Sequence, residues 1–323
     1  MKKNIAVLYG GYSGEYEISV ESGKNVAQSL DKEKYNIFSI LITKEKWVYE
    51  GGNCEHHINR NDFSLNIKGE KIHFDGVFNL IHGTPGEDGK IQGYLDMLNI
   101  PYSTSGQATS SLTFNKNFCK RVVDTLDVKV AKSEFIIQGQ TGISQRIRQH
   151  LQLPVFIKPN NGGSSVGMSK VNAWEHLEDA IERAFAEDNE VLVEEFIEGR
   201  EITCAAYFVK GKLHLLPITE IVSKKEFFDF EAKYNPDLVD EIVPAPISQK
   251  VWKECENTTV FLYQELNCEG IVRMDYIFND NGLYFLEVNT IPGMTASSIV
   301  PKMIRNANLN ITDLLTDLME ENL

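Results

Sequence analysis

The sequence predicts an α/β unit over roughly its first hundred residues and α+β structure from there to the end. Three observations carry this. Short apolar runs at 4–9, 37–42 and 74–81 alternate with polar and helix-like segments, the pattern of a parallel, Rossmann-like sheet. From Glu201 onward, strand-like runs at 201–209, 212–220, 270–279 and 283–289 read as antiparallel, with a helix inserted at 247–266. Residues 271–294, IVRMDYIFNDNGLYFLEVNTIPGM, form a hairpin with one face densely polar.

The elements follow in order. Strand 4–9 (NIAVLY) ends in Gly10-Gly11, and a helix is expected from about Ile18 to Leu30, with Ser13 or Gly14 near its start. Strands 37–42 and 74–81 flank polar loops and a hairpin around Asn66 to Glu70, and 86–98 read as a loop entering a short helix. A second unit opens with a helix at 111–126 and adds strand 154–158, helix 173–186 and strand 190–196. The expected division is 1–104, 105–190 and 191–323, with no internal repeat.

Composition narrows the function. A net charge of −14 without any basic run argues against a nucleic-acid surface, while leaving room for local lysines to bind an anionic ligand. Five scattered cysteines without a CxxC read as reduced thiols in a cytoplasmic protein without a zinc site. No run approaches the ~20 apolar residues of a membrane span.

The hairpin holds the strongest chemistry. With Asp280-Asn281-Gly282 as a three-residue loop, Asp275 pairs with Glu287 and Arg273 with Asn289. Met274, Tyr276, Phe278, Tyr284, Leu286 and Val288 then share the opposite, hydrophobic face, and a two-residue loop is expected to slip the register and mix the faces. Facing carboxylates destabilise a bare sheet and become favourable around a hard cation such as Mg²⁺ shared with a phosphate.

The segment PVFIKPNNGGSSVG (154–167) is a strand delivering Lys158 into a loop of small residues, whose backbone N–H groups can approach phosphate oxygens. It is not a Walker A loop, because no G-K-[ST] leads into a helix. Weaker signals surround it. Glu15, after the glycine turn, is either a helix-start acid or a buried anion awaiting an ammonium group. His82 heads the glycine-rich loop HGTPGEDGK, where a lone histidine is more often structural. VLVEEFI (191–197) is a strand ending in adjacent acids, and FDFEAKY (228–234) is a loop lying over a cleft or on the surface.

Taken together, VLYGGYSGEYEIS, HGTPGEDGKIQG, PYSTSG, FIKPNNGGSSVGMSKV, VEEFIEGREIT, FDFEAKY, RMDYIF and LEVNTIPGMTASSIVP resemble, in order and along nearly the whole chain, the D-alanine–D-alanine ligases of the ATP-grasp superfamily. The resemblance implies an N-terminal α/β domain followed by two subdomains that grip ATP. It implies ATP-dependent joining of two D-alanines through an acyl phosphate, for peptidoglycan synthesis, by a homodimer. The alternatives are a ligase with another acceptor, such as D-lactate, or a nucleotide-binding regulator without turnover.

Roles follow residue by residue from the same resemblance. Lys116 and Lys158 would contact ATP phosphates beneath the loop holding Ser164 and Ser165. Glu194, Glu195, Phe196 and Ile197 would frame adenine, and Glu201 would hold the ribose. Asp275, Glu287 and Asn289 would bind two Mg²⁺ (or Mn²⁺) ions. Glu15 would receive the first D-alanine's ammonium, beside His82. Arg273 and the backbone at Gly293 would stabilise developing negative charge, and Ser298 with the amide of Ile299 would bind the second carboxylate. Tyr234 would join Ser164 and Glu15 when the flap closes, and Lys233 would reach the acceptor. The chain departs from the family pattern at Gly162 and Glu195, where charged and basic residues respectively are common, and at Phe228 and Phe230, where tyrosines can occur.

Overall fold

The computed structural model describes residues 2–51, 54–163, 166–223 and 239–323. Three sheets succeed one another along the chain. The first unit runs β1 (Lys3–Gly10), α1 (Tyr16–Ser29), β2 (Tyr35–Ile42), β3 (Trp47–Gly51), β4 (Cys54–Asn59), β5 (Ser64–Ile67), β6 (Glu70–Ile72) and β7 (Gly76–Asn79). Its order is β6-β5-β4-β3-β2-β1-β7. β1 lies between β2 and β7, parallel to both, so the expected parallel sheet exists as three strands at one end. The strands β3 to β6 extend it antiparallel, and the hairpin expected near Asn66 is the β5–β6 turn. The reason is connectivity: the loops of segment 47–72 are too short for parallel crossovers and fold the chain back on itself.

α1 packs closely on β1, where a Cβ at Gly23 would come within 2.5 Å of the Tyr9 ring. Ser19 Oγ accepts from the Gly10 amide at 2.8 Å and donates to the Leu80 carbonyl at 2.7 Å. One helix hydroxyl thereby ties together the chain at the ends of β1 and β7, where the parallel strands open the site.

α2 (Lys90–Met97), α3 (Gln107–Phe114) and α4 (Lys116–Thr125) follow. The single helix expected over 111–126 is instead two. Asn115 is extended, with φ −83 and ψ 103, and its side chain accepts from the Phe118 amide at 2.9 Å as the cap of α4. The break sets Lys116 at the first position of the new helix, its amide donating to Asn160 at 3.1 Å.

The second sheet comprises β8 (Ser133–Ile137), α5 (Ile143–His150), β9 (Val155–Pro159), β10 (Ser169–Val171), α6 (Leu177–Phe185) and β11 (Glu190–Glu195). Its order is β10-β9-β11-β8, antiparallel throughout. β11 pairs with both β8 and β9, so a boundary at 190/191 falls inside this sheet.

The third sheet comprises β12 (Arg200–Val209), β13 (Lys212–Leu215), β14 (Thr219–Ser223), β15 (Val239–Ile242), α7 (Gln249–Glu265), β16 (Ile271–Asn279) and β17 (Gly282–Asn289), followed by α8 (Ile299–Asn306) and α9 (Ile311–Glu320). The order is β15-β14-β12-β16-β17, with β13 on β12, so the strand expected over 212–220 is two. One core joins α4 and α7 to this sheet through Cys119, Val123, Leu262, Met274, Tyr276 and Phe285. Another joins Met303, Ile304, Leu314 and Leu315 of α8 and α9 to Ile5, Val7, Val26 and Phe78 of the first unit. The end of the chain therefore completes the core of its beginning. Among the described residues, no helix is long and apolar enough to cross a membrane.

Candidate active site

The hairpin reaches the expected pairing by an unexpected route. Arg273 lies opposite Asn289 and Asp275 opposite Glu287, but the turn is a two-residue loop in which Asn279 pairs with Gly282. A β-bulge between Asp275 and Tyr276 absorbs the difference, placing Leu286 as the extra residue. The bulge also flips the outer half of β17. Leu283 and Phe285 enter the core, Tyr284 lies 5.7 Å beneath the Lys129 ammonium, and Leu286 joins the cleft wall beside Glu287. The hydrophobic face expected to include Tyr284 and Leu286 is thus corrected. LYFLEV is nearly continuous in apolar character, so its alternation could not reveal the bulge.

Arg273 is buried and holds Asp275 through two bonds, Nε to Oδ1 at 2.8 Å and Nη2 to Oδ2 at 2.7 Å. Burial opposes its charge, and Asp275 more than restores it, so the guanidinium stays protonated. Thr203 donates to Asp275 Oδ1 at 2.6 Å, and the Asn289 amide to Oδ2 at 3.0 Å. A carboxylate offers about four lone-pair sites, so this one is heavily engaged. Glu287 stands more open, its Oε2 3.7 Å from Lys116 Nζ. Among the described residues, no three His, Cys, Asp or Glu side chains form a ready-made metal cage. Two carboxylates and an amide are nevertheless hard oxygen donors suited to Mg²⁺ if Asn289 turns its oxygen inward.

Behind this square lies a cleft between the second and third sheets. Lys116, Lys158, Glu194, Glu195, Phe196, Ile197, Glu201, Arg273, Asp275 and Glu287 all line it. Lys116 Nζ donates to the Gly162 carbonyl at 2.6 Å. Lys158 Nζ lies 2.7 Å from Glu194 Oε2, while Lys120 bonds the other carboxylate oxygen. Burial alone would raise the Glu194 pKa, but the two ammonium groups hold its carboxyl down at about 2. Glu195 accepts from the Lys132 amide at 2.8 Å, and Phe196 carries the Lys170 ammonium 4.0 Å above its ring.

The cleft continues into a second pocket, sharing Lys116, Met168, Arg273 and Glu287 as a common wall. Glu15, His82, Asn289, Gly293, Ser298 and Ile299 line it. Glu15 sits against the phosphate-type loop so tightly that a Cβ at Gly163 would lie 2.3 Å from its carboxylate. Ser22 Oγ accepts from the Met294 amide at 3.1 Å and lies 3.4 Å from His82 Nε2. Ser298 is the N-cap of α8, but its hydroxyl bonds Thr295 Oγ1 at 2.8 Å and caps no helix amide among the described residues. Ser298 and Ile299 bring the start of α8 to the pocket lining, and a helix N-terminus favours an anion.

Ser164 and Ser165 of the glycine-rich loop, and Lys233 and Tyr234 of the expected flap, lie outside the described residues. Sequence reasoning missed Lys120, although its spacing of one helical turn from Lys116 was a readable signal. It also missed Ser22 and the apolar cleft wall of Ala131, Phe156, Met168, Ile277 and Leu286, since such residues read as core.

Comparison with known proteins places the chain in a family. Family models described as D-ala D-ala ligase N-terminus and C-terminus match residues 4–105 and 122–320. A D-alanine--D-alanine ligase of Azobacteroides pseudotrichonymphae is 50% identical, the match covering 98% of this chain and 99% of that protein. The crystal structure of the VanG D-Ala:D-Ser ligase from Enterococcus faecalis superposes with TM-score 0.89 at 32% identity, covering 100% of both chains. A D-alanine--D-alanine ligase from Bacillus anthracis complexed with ATP superposes with TM-score 0.79 at 29% identity, covering 100% of this chain and 97% of that one. The chain belongs to the D-alanine–D-alanine ligase family.

Proposed function

We propose that this chain uses ATP to join two D-alanines through an acyl phosphate, supplying D-alanyl-D-alanine for cell-wall precursor synthesis in the cytoplasm. The observation that carries the reading is the shared wall. Arg273 and Glu287 stand at once in a lysine-lined cleft fit for a nucleotide and in a pocket ending in Glu15, His82 and the α8 N-terminus.

The chemistry follows from these positions. A carboxylate resists attack by an amine because its leaving group is poor, and phosphorylation removes that obstacle. The apolar wall of the cleft and the strand end from Glu194 to Ile197 would hold the base, Glu201 the ribose, and Lys116 and Lys158 the phosphates. Asp275, Glu287 and Asn289 would hold divalent cations, which supply neutralisation of the transferred phosphoryl group. Glu15 would orient the first D-alanine by its ammonium, and the α8 amides would take the carboxylate of the second. Arg273 with the backbone at Gly293 would stabilise the oxyanion as the second amine attacks and phosphate leaves. Ser164, Tyr234 and Lys233 belong to the loops that would close over the substrates and exclude water. The three sheets support a three-part domain division, and a homodimer accords with the family.

The reading is tested by phosphate release with ATP plus D-alanine against ATP alone, with D-serine and D-lactate as competing acceptors. Release that depends on D-alanine and yields the dipeptide supports it. Nucleotide binding without turnover would favour a regulator, and preferential D-serine or D-lactate incorporation would change the acceptor.

A further inference from the structure

We infer that Lys120 is a positioning residue for the nucleotide: by holding Glu194 from behind, it leaves Lys158 free to present its charge to the cleft. The inference rests on the reading of that cleft as the ATP site. Lys120, Glu194 and Lys158 are 7%, 5% and 7% exposed, so three long charged side chains are buried together. Lys120 bonds Glu194 Oε1 and Lys158 bonds Oε2, giving the carboxylate one ammonium on each oxygen. Lys158 and Glu194 line the cleft, whereas Lys120 stands behind its wall, so any effect of Lys120 on a ligand passes through Glu194.

The charge count gives the consequence. Two ammonium groups and one carboxylate leave the cluster with a surplus positive charge, and the only lysine of the three at the cleft face is Lys158. Without Lys120, Glu194 would pair one-to-one with Lys158, cancelling that charge and drawing the ammonium away from a phosphate. Unpaired buried charges are costly, so Lys158 could not simply abandon the carboxylate. α4 makes the arrangement possible because positions 116 and 120 share one helix face. Lys116 meets Gly162 and Glu287 while Lys120 meets Glu194.

The experiment is a double-mutant cycle between Lys120→Met and Glu194→Gln in the full-length protein, read by ATP binding calorimetry, by KM for ATP and D-alanine, and by thermal denaturation. We expect Lys120→Met to weaken ATP binding about tenfold, as loss of a compensating buried charge would, with the D-alanine KM unchanged. In the Glu194→Gln background the same substitution should cost nothing further, because the group it acts through is neutral. An equal loss in both backgrounds, or no loss in the parent, overturns the inference. Where Lys120→Met does not fold, Lys120→Gln takes its place in the cycle. Lys158→Met separates the two readings: if it leaves ATP binding intact, the cleft is not the nucleotide site. If it weakens binding while Lys120→Met does not, only the role of Lys120 fails.

Discussion

The cleft proposed for the nucleotide and the pocket proposed for the amino acids meet at Arg273 and Glu287, yet they are held by different physics. In the cleft, α4 packs with the third sheet while Glu194 and Lys158 belong to the second, and the buried Lys120–Glu194 pair bridges the two. In the pocket, Ser22, Ser19 and Thr295 fix neighbouring groups by hydrogen bonds, over an apolar core that the first unit shares with α8 and α9. A cleft built on charge can be retuned by one neutral substitution. A pocket built on backbone bonds is changed chiefly by altering its shape.

The largest expected effect lies where the two regions join. Glu287→Gln should lower kcat by about a thousandfold or more, as loss of transition-state charge stabilisation does. Mn²⁺ titration followed by EPR should lose affinity in parallel, and near-normal turnover with unchanged Mn²⁺ binding would remove Glu287 from the metal site. Next, Gly163→Ala should separate the regions. Its methyl group must displace the Glu15 carboxylate, so the D-alanine KM should rise about tenfold, as for a lost charged hydrogen bond, while ATP binding measured by calorimetry changes little. Equal losses for both ligands would show that the regions are coupled through this loop.

Ser22→Ala is expected to act more weakly. It leaves the Met294 amide without its acceptor, costing about 1–3 kcal/mol. Urea denaturation reads the stability loss, and the D-alanine KM shows whether the Gly293 backbone has moved. The smallest effect concerns acid stability. The Glu194 pKa falls from its ordinary 4.5 to about 2 on folding, so its contribution is complete above 4.5 and fades as pH drops from there toward 2. Lys120→Met should make the loss of stability across that window shallower. Identical pH profiles for parent and variant would show that the cluster adds little to the fold.

The sequence was most legible where chemistry and period coincide. The opposition of Asp275 and Glu287 was readable because both strands place their polar residues on one face. The loop length was misjudged, since the bulge at Leu286 leaves no mark in an apolar run. Asn115 carried a readable capping signal, but helix-compatible residues on both sides concealed the break. Lys120 was one turn from a recognised lysine, yet its partner Glu194 is 74 positions away in sequence, and only the fold supplies it. The antiparallel extension of the first sheet was hidden for a related reason: short polar connections do not declare which strand they return to.

The core shared by both ends of the chain bears on biosynthesis. β1 leaves the ribosome long before α9, yet its Ile5 and Val7 pack with Leu314 and Leu315 of that helix. At about 5–20 residues per second, the first sheet waits roughly fifteen to sixty seconds with one apolar side uncovered. During that interval a nascent chain depends on its own collapse, or on a chaperone, to stay out of aggregates.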